Sequence, residues 1–90
     1  MKFVLLFLII ANMQYLEELA KYIKNKRYQS GLSLNQFCIE CEIETSALSR
    51  FENGKQNLKI PNLMKIAKRF DKTLGEFLLD FEKETGIKSE

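Results

Sequence analysis

One segment in the middle of the chain decides the predicted fold: Thr45-Ser46-Ala47-Leu48-Ser49-Arg50-Phe51-Glu52-Asn53-Gly54-Lys55. Leu48 and Phe51 are spaced to lie on one side of a short helix, with small polar residues and Arg50 on the other side. Gly54 is placed to take the left-handed conformation that ends a helix. Such a helix suits insertion into a DNA major groove, although it also suits the surface of a small helical bundle.

The residues before this helix predict a second short helix and a tight turn. Ser33-Leu34-Asn35-Gln36 is a capping box, in which Ser33 caps the helix and Gln36 reaches back. This helix is predicted from about residue 34 to residue 41, and the link that follows contains Ile43 as its buried residue. Two short helices joined by such a turn form a helix-turn-helix.

Three further helices are predicted around this pair. The first spans residues 13–29, the fourth begins with Pro61 at its first position, and the fifth follows the capping box Thr73-Leu74-Gly75-Glu76 and stops at Gly86. The sequence therefore predicts an all-α domain of five helices over residues 13–85. An apolar N-terminal extension (1–12) precedes this domain, and a frayed tail (86–90) follows it. The residues predicted to be buried in the flanking helices are Leu16, Leu19, Ala20, Ile23, Leu63, Ile66, Ala67, Phe70, Leu74, Phe77, Leu78 and Phe81.

The charges of this chain are unevenly distributed. Ninety residues, 46% of them hydrophobic, are enough for one packed core, and the net charge is only +2. Residues 13–74 contain eleven Lys and Arg against seven Asp and Glu, whereas residues 75–90 contain two against five. Any contact with a polyanion therefore belongs to the middle of the chain, although these cations would equally suit a solvated surface.

The residues that most enzymes and metal sites need are missing from the sequence. There is no His, so the commonest general base and the commonest metal ligand are both absent. No paired-carboxylate, glycine-rich phosphate-binding or serine-nucleophile signature is present. We expect no enzymatic activity, no cofactor, no metal and no small-molecule substrate.

The two cysteines, Cys38 and Cys41, form a C-x-x-C pattern. A redox pair would be expected beside a βαβ pattern, and a zinc site would need about four ligands. Both residues instead fall on the inner side of the second helix, so we predict that they are small buried hydrophobic residues. Reduced thiols fit a cytoplasmic protein.

Residues 3–10 are eight consecutive apolar residues. This run is too short to span a bilayer as a helix, and it resembles the hydrophobic region of a secretory signal. Met13 would be the true start if residues 1–12 were an upstream extension. Alternatively, the run is a strand or helix that packs against a partner chain, or a weak membrane anchor. Periodicity does not decide between strand and helix, and a membrane partner is the less favoured interpretation.

At this point the chain resembles the phage-repressor/Cro-type helix-turn-helix family, also called XRE-like, over about residues 16–78. Four blocks in this order carry the resemblance: KRYQSGLS (26–33), LSRFENGK (48–55), LMKIAKRF (63–70) and TLGEFL (73–78). The resemblance implies a repressor-like five-helix bundle, with residues 45–52 as the recognition helix. It also implies a homodimer that binds two half-sites of double-stranded DNA. The fifth helix (Phe77, Leu78, Phe81) and the apolar N-terminal segment are the candidate dimer surfaces. The alternative for the two aromatic residues is the core, which is favoured strongly for Phe77 and less strongly for Phe81.

The resemblance also assigns DNA contacts to individual residues. Thr45, Ser46, Ser49 and Arg50 fall where the family contacts base edges or flanking phosphates, and Arg50 is the best candidate for a bidentate contact with guanine. The turn after the recognition helix resembles the family's phosphate clamp, and the start of the second helix is where the family contacts the DNA backbone. The further DNA-binding candidates are Asn35, Gln36, Asn53, Lys55 and Gln56.

Arg27 and Glu52 match a pair that the family often uses as a salt bridge between the first and third helices. Three residues depart from the family pattern: Leu34 replaces a phosphate-binding Gln, Glu42 replaces the turn Gly, and Glu44 occupies the cap position of the recognition helix. These departures lower the expected DNA affinity without changing the expected fold.

The function implied is a cytoplasmic, sequence-specific DNA-binding transcriptional regulator, a repressor that occupies its operator. The alternative is an antitoxin or accessory protein-interaction module that has the same fold without tight DNA binding.

Overall fold

The computed structural model describes residues 2–87, and its side chains are described from Met13 to Ile87. Five helices follow one another along the chain: α1 (Lys2–Gln29), α2 (Leu34–Cys41), α3 (Thr45–Glu52), α4 (Ile60–Arg69) and α5 (Leu74–Thr85). No strand occurs in this part of the chain. The predicted all-α, five-helix fold is confirmed, and α2 and α3 have the predicted bounds.

Helix α1 is longer than the sequence pattern predicts. It begins at Lys2, not at Met13, and continues without a break through residues 12 and 13. The backbone of residues 3–10 is therefore helical, and the strand alternative is wrong. The packing of the side chains before Met13 lies outside the described residues, so the division between an extension and a domain stays a prediction. None of the helices within residues 2–87 is long and apolar enough to cross a membrane.

Capping boxes start two of the helices, as predicted. At the start of α2, the Ser33 Oγ accepts the Gln36 amide at 3.2 Å and the Gln36 Oε1 accepts the Ser33 amide at 3.1 Å. Thr73 and Glu76 make the same reciprocal bonds at the start of α5, at 3.1 and 2.9 Å. The Thr73 amide, by donating to the Glu76 carboxylate, lowers the pKa of that carboxyl group. These bonds satisfy amides that the first turn of a helix leaves free.

The start of α4 differs by one residue from the prediction, whereas the end of α5 agrees with it. Helix α4 begins at Ile60, so Pro61 lies one residue later in the helix than predicted. Gly86 ends α5 at φ 75°, as predicted. Ile87 packs half-buried against the core, and the fraying of residues 86–90 stays a prediction. The rest of the predicted frayed tail, residues 88–90, lies outside the described residues.

The core joins all five helices. Tyr22 of α1 lies against two rings of α5, with centroid distances of 5.6 Å to Phe77 and 5.2 Å to Phe81. Tyr22 and Leu58 are buried without having been predicted, whereas Leu16, Phe70, Leu74 and Leu78 are only half-buried. The buried apolar residues are Leu19, Ala20, Tyr22, Ile23, Phe37, Cys38, Cys41, Ile43, Leu48, Phe51, Leu58, Leu63, Ile66, Ala67, Phe77 and Phe81.

Two of the three side chains predicted to form a dimer surface on α5 belong to this core. Phe77 is 2% exposed and Phe81 is fully buried, so neither is available to a partner in the folded chain. The edge-to-face arrangement of Phe81 with Tyr15, at 5.1 Å, further fixes α5 on α1. The two phenylalanines are therefore core residues, as the sequence favoured above all for Phe77, and they are not part of a dimer surface.

Candidate nucleic-acid interface

Helix α3 presents one face to the core and the other to solvent. Leu48 and Phe51 are 0% and 2% exposed, and they anchor the helix against its neighbours. Thr45, Ser46 and Arg50 are exposed, whereas Ser49 is half-buried. Within the described residues the Arg50 guanidinium has no hydrogen bond or ion pair with another side chain. An exposed, unpaired guanidinium has all its donors available to an external acceptor.

A buried ion pair fastens α3 to α1. The Arg27 Nε donates to Glu52 Oε2 at 3.0 Å, and its Nη2 donates to Glu52 Oε1 at 2.9 Å. The two side chains are only 8% and 4% exposed. The Glu52 carboxylate raises the pKa of Arg27 further above its ordinary value, because it stabilises the charged guanidinium. Two parallel bonds between planar groups restrict rotation as well as distance, so this contact limits the orientation of α3 relative to α1.

The turn after α3 is closed by its own backbone and by Asn53. The Asn53 Nδ2 donates to the Ser49 carbonyl at 2.9 Å, and the Lys55 amide donates to the Arg50 carbonyl at 2.8 Å. Gly54 has φ 72°, as predicted from the sequence. One donor of Asn53 is thus used internally, while the side chains of Lys55 and Gln56 are exposed.

The start of α2 offers a second polar surface. Asn35 and Gln36 are exposed. Because the Gln36 oxygen already accepts the Ser33 amide, only the NH2 group of Gln36 is left to donate to an outside acceptor. Leu34 is half-buried and offers no side-chain donor at the position where the family pattern has Gln.

The turn between α2 and α3 contains Glu42 in the left-handed conformation, with φ 59° and ψ 47°. This is the position where the family pattern has Gly, and a side chain in this conformation costs about 1 kcal/mol or more. The Lys65 Nζ donates to the Glu42 carbonyl at 3.1 Å and so links α4 to the turn. The Arg69 Nε donates to Glu40 Oε1 at 2.7 Å and links α4 to α2.

Neither of these two contacts was predicted from the sequence. The partners are 23 and 29 residues apart, and no local pattern indicates such pairs. Lys65 is exposed, whereas Arg69 is half-buried. The two contacts hold the helix-turn-helix against the rest of the bundle.

The cysteine pair lies in the core beneath α2. Cys38 and Cys41 are free thiols, 2% and 4% exposed, as the sequence predicted. Burial raises the pKa of both thiols, and that of Cys41 to about 11. The described residues contain no cluster of three or more Cys, Asp or Glu side chains arranged to hold a metal ion.

The comparisons with known proteins agree with this geometry. A profile of the helix-turn-helix family matches residues 23–77, which include α2, α3, α4 and the beginning of α5. The chain is 34% identical over 64 residues to the control protein C.MunI of a Mycoplasma species, across 71% of this chain and 86% of that protein. No solved structure matches the chain.

The fold and the exposed face of α3 are those of a helix-turn-helix DNA-binding protein. The chain belongs to the XRE-type helix-turn-helix family of DNA-binding transcriptional regulators.

Proposed function

We propose that this protein is a sequence-specific repressor that occupies operator DNA by inserting α3 into the major groove. The observation that carries the proposal is the solvent face of α3, where Thr45, Ser46 and Arg50 are exposed on a helix held rigidly by the Arg27–Glu52 pair. Base recognition needs side chains in a fixed position, because each hydrogen bond depends on distance and angle. The protein acts by binding and not by catalysis, in the reducing cytoplasm.

The DNA contacts divide into two kinds. Arg50 recognises a guanine through its two forked donors, and Thr45 and Ser46 contact a thymine methyl group, a phosphate or a water. Asn35, Gln36, Asn53, Lys55 and Gln56 contact phosphates and fix the register of the protein on the duplex, while Ser49 lies beside the bases. Phosphate contacts of this kind position the protein without recognising sequence.

The test is selection of bound duplexes from a random pool, followed by titration of the selected site with the wild type and two variants. Arg50→Ala should lose preference at one base pair. Lys55→Ala should weaken binding to every sequence and lower the slope of log affinity against log salt by about one. Equal weakening on all sequences by Arg50→Ala would show that Arg50 contacts phosphate. Absence of duplex binding at about 50 mM salt would refute the proposal and favour the accessory protein-interaction module, since phosphate contacts are strongest there.

The protein binds as a homodimer through a groove between α4 and α5, in place of the buried phenylalanines first predicted. Pro61, Met64 and Leu74 form its apolar surface, and Lys65, Lys68, Lys72 and Thr73 also line it. Met64 is 55% exposed, although it is a large apolar residue. A second copy that covers this groove would bury the apolar surface and double the number of DNA contacts.

Oligomeric state tests this interface. Met64→Lys places a charge in the groove and should shift the protein towards monomer in sedimentation equilibrium. Leu79→Lys is the matched control, because Leu79 is similarly exposed on α5 but does not line the groove. If both variants dissociate to the same extent, or if neither dissociates, the dimer contact lies elsewhere.

A further inference from the structure

Glu44 lies immediately before the recognition helix, and none of the proposed DNA contacts uses its carboxylate. Its side chain is exposed and makes no hydrogen bond to cap α3, although it occupies the cap position. The side chains of Ser33 and Thr73, in contrast, cap α2 and α5. In the part of the chain that the structure describes, the Glu44 carboxylate takes part in no ion pair. Within the described part of the fold this carboxylate therefore interacts only with the N-terminal end of the α3 dipole, and all its hydrogen-bond acceptor sites are open to an outside donor.

Phosphate is a poor ligand for Glu44, because both groups are negatively charged. The base edges are different. In the major groove the hydrogen-bond donors are the N4 amino group of cytosine and the N6 amino group of adenine, and a carboxylate only accepts. Adenine presents its N7 acceptor beside N6, so a carboxylate that approaches N6 also meets a repelling lone pair. Cytosine presents the amino group alone, which makes it the better partner.

The position of Glu44 fits contact with a base. In helix-turn-helix proteins the N-terminal residues of the recognition helix contact base edges, and Glu44 immediately precedes Thr45. Glu44 and Arg50 are six residues apart, which separates them by about 9 Å along a helix. They would therefore contact different base pairs.

The surroundings of Glu44 reduce its repulsion from DNA. The charged residues that line one polar groove beside α3 are Glu42, Glu44, Lys59 and Lys65. Among the described residues, these two lysines and two glutamates are the only charged side chains that line this groove, so their charges sum to zero. The carboxylate can thus enter the groove of the duplex without a net negative patch behind it.

We propose that Glu44 is a specificity-determining residue, whose carboxylate accepts a hydrogen bond from the N4 amino group of one cytosine in each half-site. This inference rests on the proposed function, because it requires α3 to lie in the major groove. A mismatch at this position should lower wild-type affinity by about 5- to 150-fold, as for other single base contacts.

The test compares four full-length proteins by selection from a random duplex pool and by titration of duplexes with each of the four base pairs at the selected position. The proteins are the wild type, Glu44→Ala, Glu44→Gln and the control Glu42→Ala. Glu44→Ala should bind the four duplexes equally, while the preference assigned to Arg50 is kept. Glu44→Gln should shift the preference from cytosine towards adenine, because an amide pairs with N6 and N7 of adenine. Glu42→Ala removes the same charge two residues earlier and should keep the cytosine preference.

The outcomes separate this inference from the proposed function. If the wild type selects a consensus and Glu44→Ala selects the same one with uniformly tighter binding, Glu44 only repels phosphates and the inference is wrong. The inference is also wrong if the consensus contains no cytosine that depends on residue 44, even though α3 binds specifically. If the wild type selects no sequence, the proposed function fails, and the cytosine contact fails with it. Thermal unfolding by circular dichroism confirms that each variant is folded.

Discussion

Removing one member of the Arg27–Glu52 pair should destabilise the protein far more than removing both. The two side chains are 8% and 4% exposed and share two hydrogen bonds of 2.9 and 3.0 Å. Glu52→Leu removes two of the three side-chain hydrogen bonds of the buried Arg27 guanidinium and leaves only the one from Nη1 to the Leu32 carbonyl, at 3.4 Å. Arg27→Met leaves the buried Glu52 carboxylate without the guanidinium that both of its oxygens bind. Breaking a buried pair in this way costs about 3–5 kcal/mol. The double variant R27M/E52L replaces the pair with apolar side chains and should cost about 1 kcal/mol or less.

Urea unfolding followed by circular dichroism measures these differences. With a slope of about 1 kcal/mol per M urea for a small domain, each single variant should lower the midpoint by about 3 M or more. The matched control is Lys21→Ala, which breaks an exposed pair with Glu18 whose side chains are 70% and 39% exposed. This control should cost less than about 0.5 kcal/mol.

The double variant is the decisive measurement. If its loss of stability equals the sum of the two single losses, Arg27 and Glu52 act independently, and the reasoning from a shared buried contact is wrong. The same variant also separates stability from function. Because its apolar side chains cannot fix the orientation of α3 by hydrogen bonds, it should bind the selected duplex more weakly than the wild type although it is folded.

Three further predictions follow from individual side chains. Glu42→Gly should raise the free energy of unfolding by about 0.5–1 kcal/mol, because Gly relieves the left-handed conformation at φ 59°; an unchanged urea midpoint would contradict this. Cys41 should react with a thiol reagent at pH 8 about 100-fold more slowly in the native protein than in urea, because burial raises its pKa to about 11. Cys38 should also react more slowly in the native protein, because burial raises its pKa as well; rapid native labelling of either thiol would show that the core opens. Burial and the hydrogen bond to Glu82 raise the pKa of Tyr15 to about 12, whereas an unfolded Tyr ionises near pH 10. Stability from this group should therefore be complete below about pH 10 and be lost as the pH rises towards about 12, and Tyr15→Phe should reduce that fall in alkaline unfolding curves.

The elements that the sequence predicted well are those set by local chemistry. The starts of α2 and α5 follow from capping boxes, whose members are three residues apart. Gly54 ends the recognition segment because a residue with φ 72° strongly favours glycine. These signals lie within a few residues of the structure that they determine, so the sequence alone contains them.

The elements that the sequence missed depend on distant residues or lack a periodic signal. An unbroken apolar run such as residues 3–10 has no period, so it did not show that α1 begins at Lys2. The burial of Tyr22 requires two rings that lie more than 50 residues later on α5. Asp71 takes the left-handed conformation, at φ 59°, without any glycine to indicate the turn. It is supported there by the Lys72 amide, which donates to the Ala67 carbonyl at 3.1 Å.

The recognition helix is stabilised by tertiary contacts and not by its own sequence. Eight residues are too few to form a stable isolated helix in water, and α3 has no side-chain cap at its start. Its stability must therefore come from the burial of Leu48 and Phe51 and from the bond between Glu52 and Arg27. Because those contacts already hold the helix, the cap position is not needed to start it. The Glu44 carboxylate is therefore available for DNA recognition. A Ser or Asp at this position would instead use its side-chain oxygen to accept a hydrogen bond from an amide of the first helical turn.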